Sequence, residues 1–121
     1  MYLQKKCEAQ GIELIVADFY GKKKDTPFQE QVTFVSRANI MIGMHGAGLN
    51  MFHFIPFNSV VVEIHHGTQA QKNSANFVNH IREGAYLPLK AVMKTGRKLD
   101  EKPVWDKLEQ AIQKWYDLGK Q

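Results

Sequence analysis

At 121 residues, with 44% hydrophobic and 23% charged positions, the chain has the make-up of one ordinary folded domain with a single buried core. Its net charge of +4 favours anionic ligands, but the excess is thinly spread apart from Lys22-Lys23-Lys24, and no basic-and-aromatic stripe accompanies it, which excludes a nucleic-acid partner from the reading. The single cysteine, Cys7, excludes an intrachain disulfide and a cysteine-based zinc cluster, and no run approaches the roughly 20 apolar residues that span a bilayer. The polar, charged start of the chain does not read as a signal peptide, so the expectation is a soluble chain of open compartment.

Taken in order, Leu3 and Cys7 sit one helical turn apart and Gly11 stands where it would cap a first helix. Residues 12–17, Ile-Glu-Leu-Ile-Val-Ala, form a nearly continuous apolar run, the pattern of a strand buried on both faces. Thr26-Pro27-Phe28-Gln29 fits a capping box with Thr26 as N-cap, and Phe28, Val32 and Val35 then mark one face of a helix ending near Arg37. Arg37 reads as a cation complementing the dipole of that helix end. Residues 39–43 and 59–64 are two more short apolar runs of strand character, with a short helix from Leu49 to Phe54 between them, stopped ahead of Pro56. Ala70, Phe77, Val78 and Ile81 mark a further helix. Residues 86–93 read as a fourth strand, confined to an edge by Pro88. Val104, Leu108, Ala111, Ile112, Trp115 and Leu118 form the apolar stripe of a last helix, with Pro103 near its start.

This order is a helix followed by strand and helix four times over. Alternation of that kind predicts an α/β fold: a Rossmann-like three-layer domain with a parallel sheet of about four strands, helices on both faces and right-handed crossovers. No internal repeat or linker divides it, so residues 1–121 read as one domain.

In an open parallel sheet, ligands bind beyond the carboxyl ends of the strands. Gly43-Met44-His45-Gly46-Ala47-Gly48 lies at such an end and leads into Leu49 and Asn50. Its glycines let backbone amides approach a ligand closely, and the unpaired first amides of a following helix carry partial positive charge. Together these suit a phosphate or diphosphate. The spacing G-x-x-G-x-G is neither the dinucleotide fingerprint nor a P-loop, and a strand-to-helix turn that needs glycine only for packing has the same pattern. His45-Gly46-Ala47-Gly48 also has the form of an esterase oxyanion-hole segment, but no G-x-S-x-G nucleophile elbow exists: Ser36, Ser59 and Ser74 lack the flanking glycines.

Over a longer stretch the pattern becomes specific. Pro27-Phe28-Gln29-Glu30-Gln31, then residues 38–49 (Ala-Asn-Ile-Met-Ile-Gly-Met-His-Gly-Ala-Gly-Leu), then Phe54-Ile55-Pro56 and Val60-Val61-Val62-Glu63-Ile64 follow one another as in glycosyltransferase family 61 (GT61). The chain resembles that family strongly from Thr26 to Ile64, and in the flanks only through the alternating pattern. The resemblance implies the C-terminal half of a GT-B fold, in which two Rossmann-like domains face each other across a cleft. The C-terminal one holds the nucleotide-sugar, here a UDP-sugar. It further implies inverting transfer to a glycan or protein acceptor, without a cofactor or bound metal. Eukaryotic relatives of this kind work in the lumen of the endoplasmic reticulum and Golgi.

The candidate site residues follow. His45, at the mouth of the turn, either hydrogen-bonds the diphosphate or acceptor side of the cleft, as a catalytic residue, or packs within the turn. Gly43, Gly46, Ala47, Gly48, Leu49 and Asn50 form the substrate-binding turn, Asn50 either donating to a phosphate or stabilising its helix. Glu63, expected at the end of its strand, either accepts hydrogen bonds from ribose hydroxyls or pairs with a nearby cation. His65 and His66 are adjacent and so point to opposite faces of a strand; with His53 and His80 they make no constellation, and no metal site is expected. Lys22-Lys23-Lys24 either attracts phosphate or is a solvated loop. Inverting transfer calls for a base near the acceptor hydroxyl, and none can be assigned. The arginine-containing motif that the family carries upstream has no counterpart. Both point to an N-terminal GT-B domain or partner chain outside this sequence, and leave a non-catalytic nucleotide-binding or assembly module as the alternative.

Overall fold

The structure, a computed structural model, describes residues 2–15, 25–44, 54–56, 58–65, 85–96 and 98–119. Within them the elements are α1 (Tyr2–Ala9), α2 (Phe28–Val35), β1 (Ile40–Met44), β2 (Val60–His65), β3 (Tyr86–Lys90), β4 (Met93–Lys94), β5 (Lys98–Leu99) and α3 (Glu101–Gly119). The class is α/β. β1, β2 and β3 form a three-stranded parallel sheet in that spatial order, and β4 and β5 a separate two-stranded antiparallel pair.

The first helix ends as its sequence predicts. The Ile12 amide donates to the Cys7 carbonyl at 2.9 Å and the Gly11 amide to that of Glu8 at 3.2 Å, the paired bonds of a Schellman cap. Gly11 makes this possible by adopting φ +69°, a conformation that a side chain would strain. The other end of α1 is tied across the chain: the Leu3 amide donates to Glu101 Oε1 at 3.1 Å.

The capping box at α2 is not the one expected. Pro27, at φ −56° and ψ 145°, is itself the extended N-cap, and no side chain caps the helix. Its carbonyl accepts from the amides of Glu30 and Gln31, while Gln31 Nε2, in place of the Gln29 side chain, reaches back to the Thr26 carbonyl at 2.8 Å. The helix stops at Val35, leaving Arg37 exposed in the turn beyond its end. Of the predicted apolar face, Val35 is buried, whereas Phe28 is exposed and meets Phe54 edge-on at 5.5 Å.

The sheet departs from a four-strand expectation at its ends. Residues 12–15 belong to no strand, and 16 and 17 lie outside the described residues. Their side chains alternate as a strand's would, Ile12 and Leu14 half-buried, Glu13 and Ile15 exposed, so the run is covered on one face only. Ile12 and Leu14 pack against Cys7, Trp105 and Leu108, and that contact is made without a hydrogen-bonded ladder. At the other end β3 stops at Lys90 instead of running to Met93. Met93 pairs with Leu99 through a turn that holds Gly96 at φ +80°. Pro88 sits where expected, in an outer strand of the three. The bonds Val61 N to Ala85 O and Ala91 N to His65 O, each 2.8 Å, turn the odd-numbered peptide groups of this strand toward β2. Pro88, an even position, therefore lacks its N–H on the outward side, where among the described residues no strand pairs. The helix expected from Leu49 to Phe54 lies outside the described residues except for Phe54, and the one expected around residues 70–81 lies outside them entirely.

β2 is buried at all six positions, as a central parallel strand must be. Alternation places Ile40, Ile42, Val60, Val62, Ile64, Leu87 and Leu89 on one face and Met41, Gly43, Val61, Glu63, His65, Tyr86, Pro88 and Lys90 on the other. Ile40 and Ile42 pack against the cluster of Cys7, Trp105 and Leu108, which puts α3 on the first face. Ala111 and Leu118 join Val60, Val61, Val62, Ala85 and Tyr86 in the second cluster. The stripe of α3 thus buries as predicted, with Trp105 added to it, and the Asp100 carboxylate caps the helix through the Lys102 amide at 3.2 Å. Among the described residues no helix is long and apolar enough to cross a membrane.

Candidate functional site

A lone acid in an otherwise apolar central strand needs a partner, because an unpaired buried carboxylate is costly. Glu63 is that acid. It is 1% exposed, and β2 runs on to His65, so it lies two residues inside the strand end at which the sequence reading put it. The parallel register sets Glu63 between Gly43 of β1 and Pro88 of β3. One row earlier stand Met41, Val61 and Tyr86, and one row later His65 is paired with Lys90.

From that earlier row, Tyr86 reaches diagonally and its hydroxyl donates to Glu63 Oε1 at 2.6 Å. The length is that of a hydroxyl-to-carboxylate hydrogen bond. Tyr86 is itself buried, at the first position of β3. Burial, and then the bond to and charge of Glu63, push its hydroxyl well above the ordinary phenol value, so at neutral pH Tyr86 remains a donor. On the β1 side, Gly43 contributes no side chain beside the carboxylate, and strands are only about 4.8 Å apart. His65 is buried two residues further along the same face of β2, toward the carboxyl edge where parallel sheets bind their ligands.

Of the site residues expected from sequence, the described structure brings two together: Gly43, the penultimate residue of β1, and Glu63, its register partner. His45, Gly46, Ala47, Gly48, Leu49 and Asn50 lie outside the described residues, as do Lys22, Lys23, Lys24, His53, His66 and His80. Among the described residues no group of three or more His, Cys, Asp or Glu side chains is arranged to hold a metal ion.

Two residues were missed. Tyr86 was seen only as the start of a strand; the signal was the acid at Glu63 within an apolar run, which calls for a buried donor on a neighbouring strand. Ser59, only 2% exposed, donates through Oγ to the Ala38 carbonyl at 2.7 Å, while its amide bonds Pro56 O at 3.0 Å. It locks the entry of β2 beside the entry of β1, whose Asn39 carbonyl accepts from the Val60 amide.

The fold and this edge define an α/β protein with a parallel sheet, compatible with a Rossmann-like domain, whose central strand carries a buried, hydrogen-bonded carboxylate near its carboxyl end. Over 54 residues, 45% of the chain, the sequence is 41% identical to the EGF domain-specific O-linked N-acetylglucosamine transferase of Gallus gallus, a glycosyltransferase. The matched segment spans 10% of that relative's length. No protein-family model matches the chain, and no solved structure does.

Proposed function

We propose that residues 1–121 form a single Rossmann-like domain of the family-61 kind, the donor-binding half of a GT-B glycosyltransferase. It takes a UDP-sugar for inverting, metal-independent transfer to a glycan or protein acceptor. The observation that carries this reading is the 41% identity to an N-acetylglucosamine transferase. The register of Gly43 with Glu63 supports it, because the strand leading into the glycine motif runs beside the acid. In this reading the backbone amides of Gly46, Ala47, Gly48 and Leu49 hold the diphosphate, with Asn50 beside them. Glu63 receives the ribose, and His45 faces the reacting centre. The acceptor base comes from a second domain or partner chain.

Thermal unfolding with and without UDP tests the reading. UDP at 100 times its dissociation constant should add about 2.7 kcal/mol of stability. Gly46→Val and Gly48→Val should abolish that gain and leave the fold intact. A folded wild type that no nucleoside diphosphate stabilises would falsify the proposal.

The second reading is a module that binds nucleotide without turnover. What favours it is that the residues named here account for holding a nucleotide and include no base for the acceptor hydroxyl. Sugar transfer in the presence of an N-terminal GT-B domain from a related transferase separates the two.

A further inference from the structure

Resting on the donor-binding reading above, we propose that Lys90, Lys94 and Lys98 form a steering rim for that site. They draw the diphosphate of the donor to the carboxyl edge of the sheet and speed its capture, without gripping it once bound.

Three observations carry this. The first is charge density: residues 90–102 hold four lysines and Arg97 against two acids, Asp100 and Glu101, in a chain of net charge +4. Both acids are turned to the protein. Asp100 Oδ1 accepts from the Lys102 amide at 3.2 Å and lies 3.8 Å from Lys94 Nζ, and Glu101 Oε1 accepts from the Leu3 amide. Among the described residues, neither Lys90 nor Lys98 has an ion-pair partner. The second is register. β4 and β5 set Lys94 directly opposite Lys98, so these two exposed lysines leave from one face of the ribbon. Like charges so placed repel, and an approaching anion relieves that repulsion. The third is position. β3 is parallel to β1 and β2, so Lys90 and the hairpin after it leave the sheet at the edge where β1 ends at Met44. The glycine motif continues from that same edge. Two strand spacings, about 10 Å, separate β1 from β3. That is near the screening length of about 8 Å at physiological ionic strength, so the lysines act on an arriving anion through their field and not by contact.

The test is a titration of the whole chain with UDP, read by NMR line shapes, which return the association and dissociation rate constants separately. The triple variant Lys90→Gln, Lys94→Gln, Lys98→Gln changes only exposed side chains, so it should keep the wild-type fold. At low salt it should associate with UDP about three- to tenfold more slowly, with a dissociation rate within about twofold of wild type. At about 0.5 M salt the two association rates should converge, because the field is screened. The single changes at Lys98 should follow charge, Lys98→Glu associating more slowly than Lys98→Gln. Equal association rates at low salt, or the opposite order at Lys98, overturn the inference and leave donor binding standing. So does a loss carried by the dissociation rate, which makes the lysines contacts, or one that persists at high salt. If the wild type binds no UDP, the donor-binding reading itself is overturned and the inference goes with it.

Discussion

The two apolar clusters share α3 and are built in opposite ways. Around Cys7, Trp105 and Leu108 the contact is between two helices at opposite ends of the chain, and it holds no buried polar pair among the described residues. Around Val60, Val61 and Val62 the core is made of small branched side chains from a central strand, and one row further along that strand sits the Glu63–Tyr86 pair. The first region is apolar packing. The second combines stability with a polar group that an apolar core of the same shape would do without, and such groups are where function is sought.

Variants on the two sides should separate these roles. The largest effect on stability is expected at the helical cluster: Trp105, 4% exposed, should cost about 3–5 kcal/mol as Trp105→Ala, read by urea denaturation. Val62→Ala, which removes two buried methyl groups from the sheet, should cost about 1–3 kcal/mol. Reversal of that order would mean that the sheet, and not the helix pair, is the more tightly packed region.

The next effect is the polar pair itself. Tyr86→Phe keeps the ring and removes the donor to a buried carboxylate, so it should destabilise the fold by about 1–3 kcal/mol. An unchanged denaturation midpoint would mean that Glu63 readily finds a substitute donor.

The smallest effect is on pH dependence, and it touches both regions. Burial pushes the Cys7 thiol above its ordinary value of 9.0, and the Tyr86 hydroxyl is pushed above 10.0. In both cases the folded chain keeps a proton that the unfolded chain releases. Their stabilising contribution is therefore complete below those ordinary values and is lost as pH rises through the folded-state ones. Stability should begin to fall near pH 9 and fall more steeply above pH 10. Cys7→Ser should remove the earlier loss, and Tyr86→Phe the later one. A midpoint flat from pH 8 to 11 in the wild type would contradict both assignments.

Much of the fold was legible from residues. The Schellman cap at Gly11 depends on a local conformation that glycine accepts at little cost, and the α3 stripe depends on helical period, so both are written in short windows. β2 was legible because a run buried on both faces has to be apolar throughout. The capping box at Thr26 was misread because Pro27 suits both the N-cap and the first helical position, and the choice lies in a ψ angle that sequence does not record. Residues 12–15 were misread because a short branched apolar run has strand character wherever it packs, and the missing ladder is a property of neighbours. At the site, Gly43 and Glu63 were picked out separately, and neither carried the other's address.

By itself, then, the sequence determined the α/β class, the parallel direction of β1, β2 and β3, the helix end set by Gly11, and the one acidic residue inside an apolar strand. These follow from local sterics and from which side chains water rejects. Only the tertiary structure decided the register that sets Gly43 beside Glu63, and the choice of Tyr86, 23 positions away, as the carboxylate's donor. The physical reason is that hydrogen bonds between strands depend on how the intervening chain crosses over, and a hydroxyl finds its acceptor through space and not along the sequence.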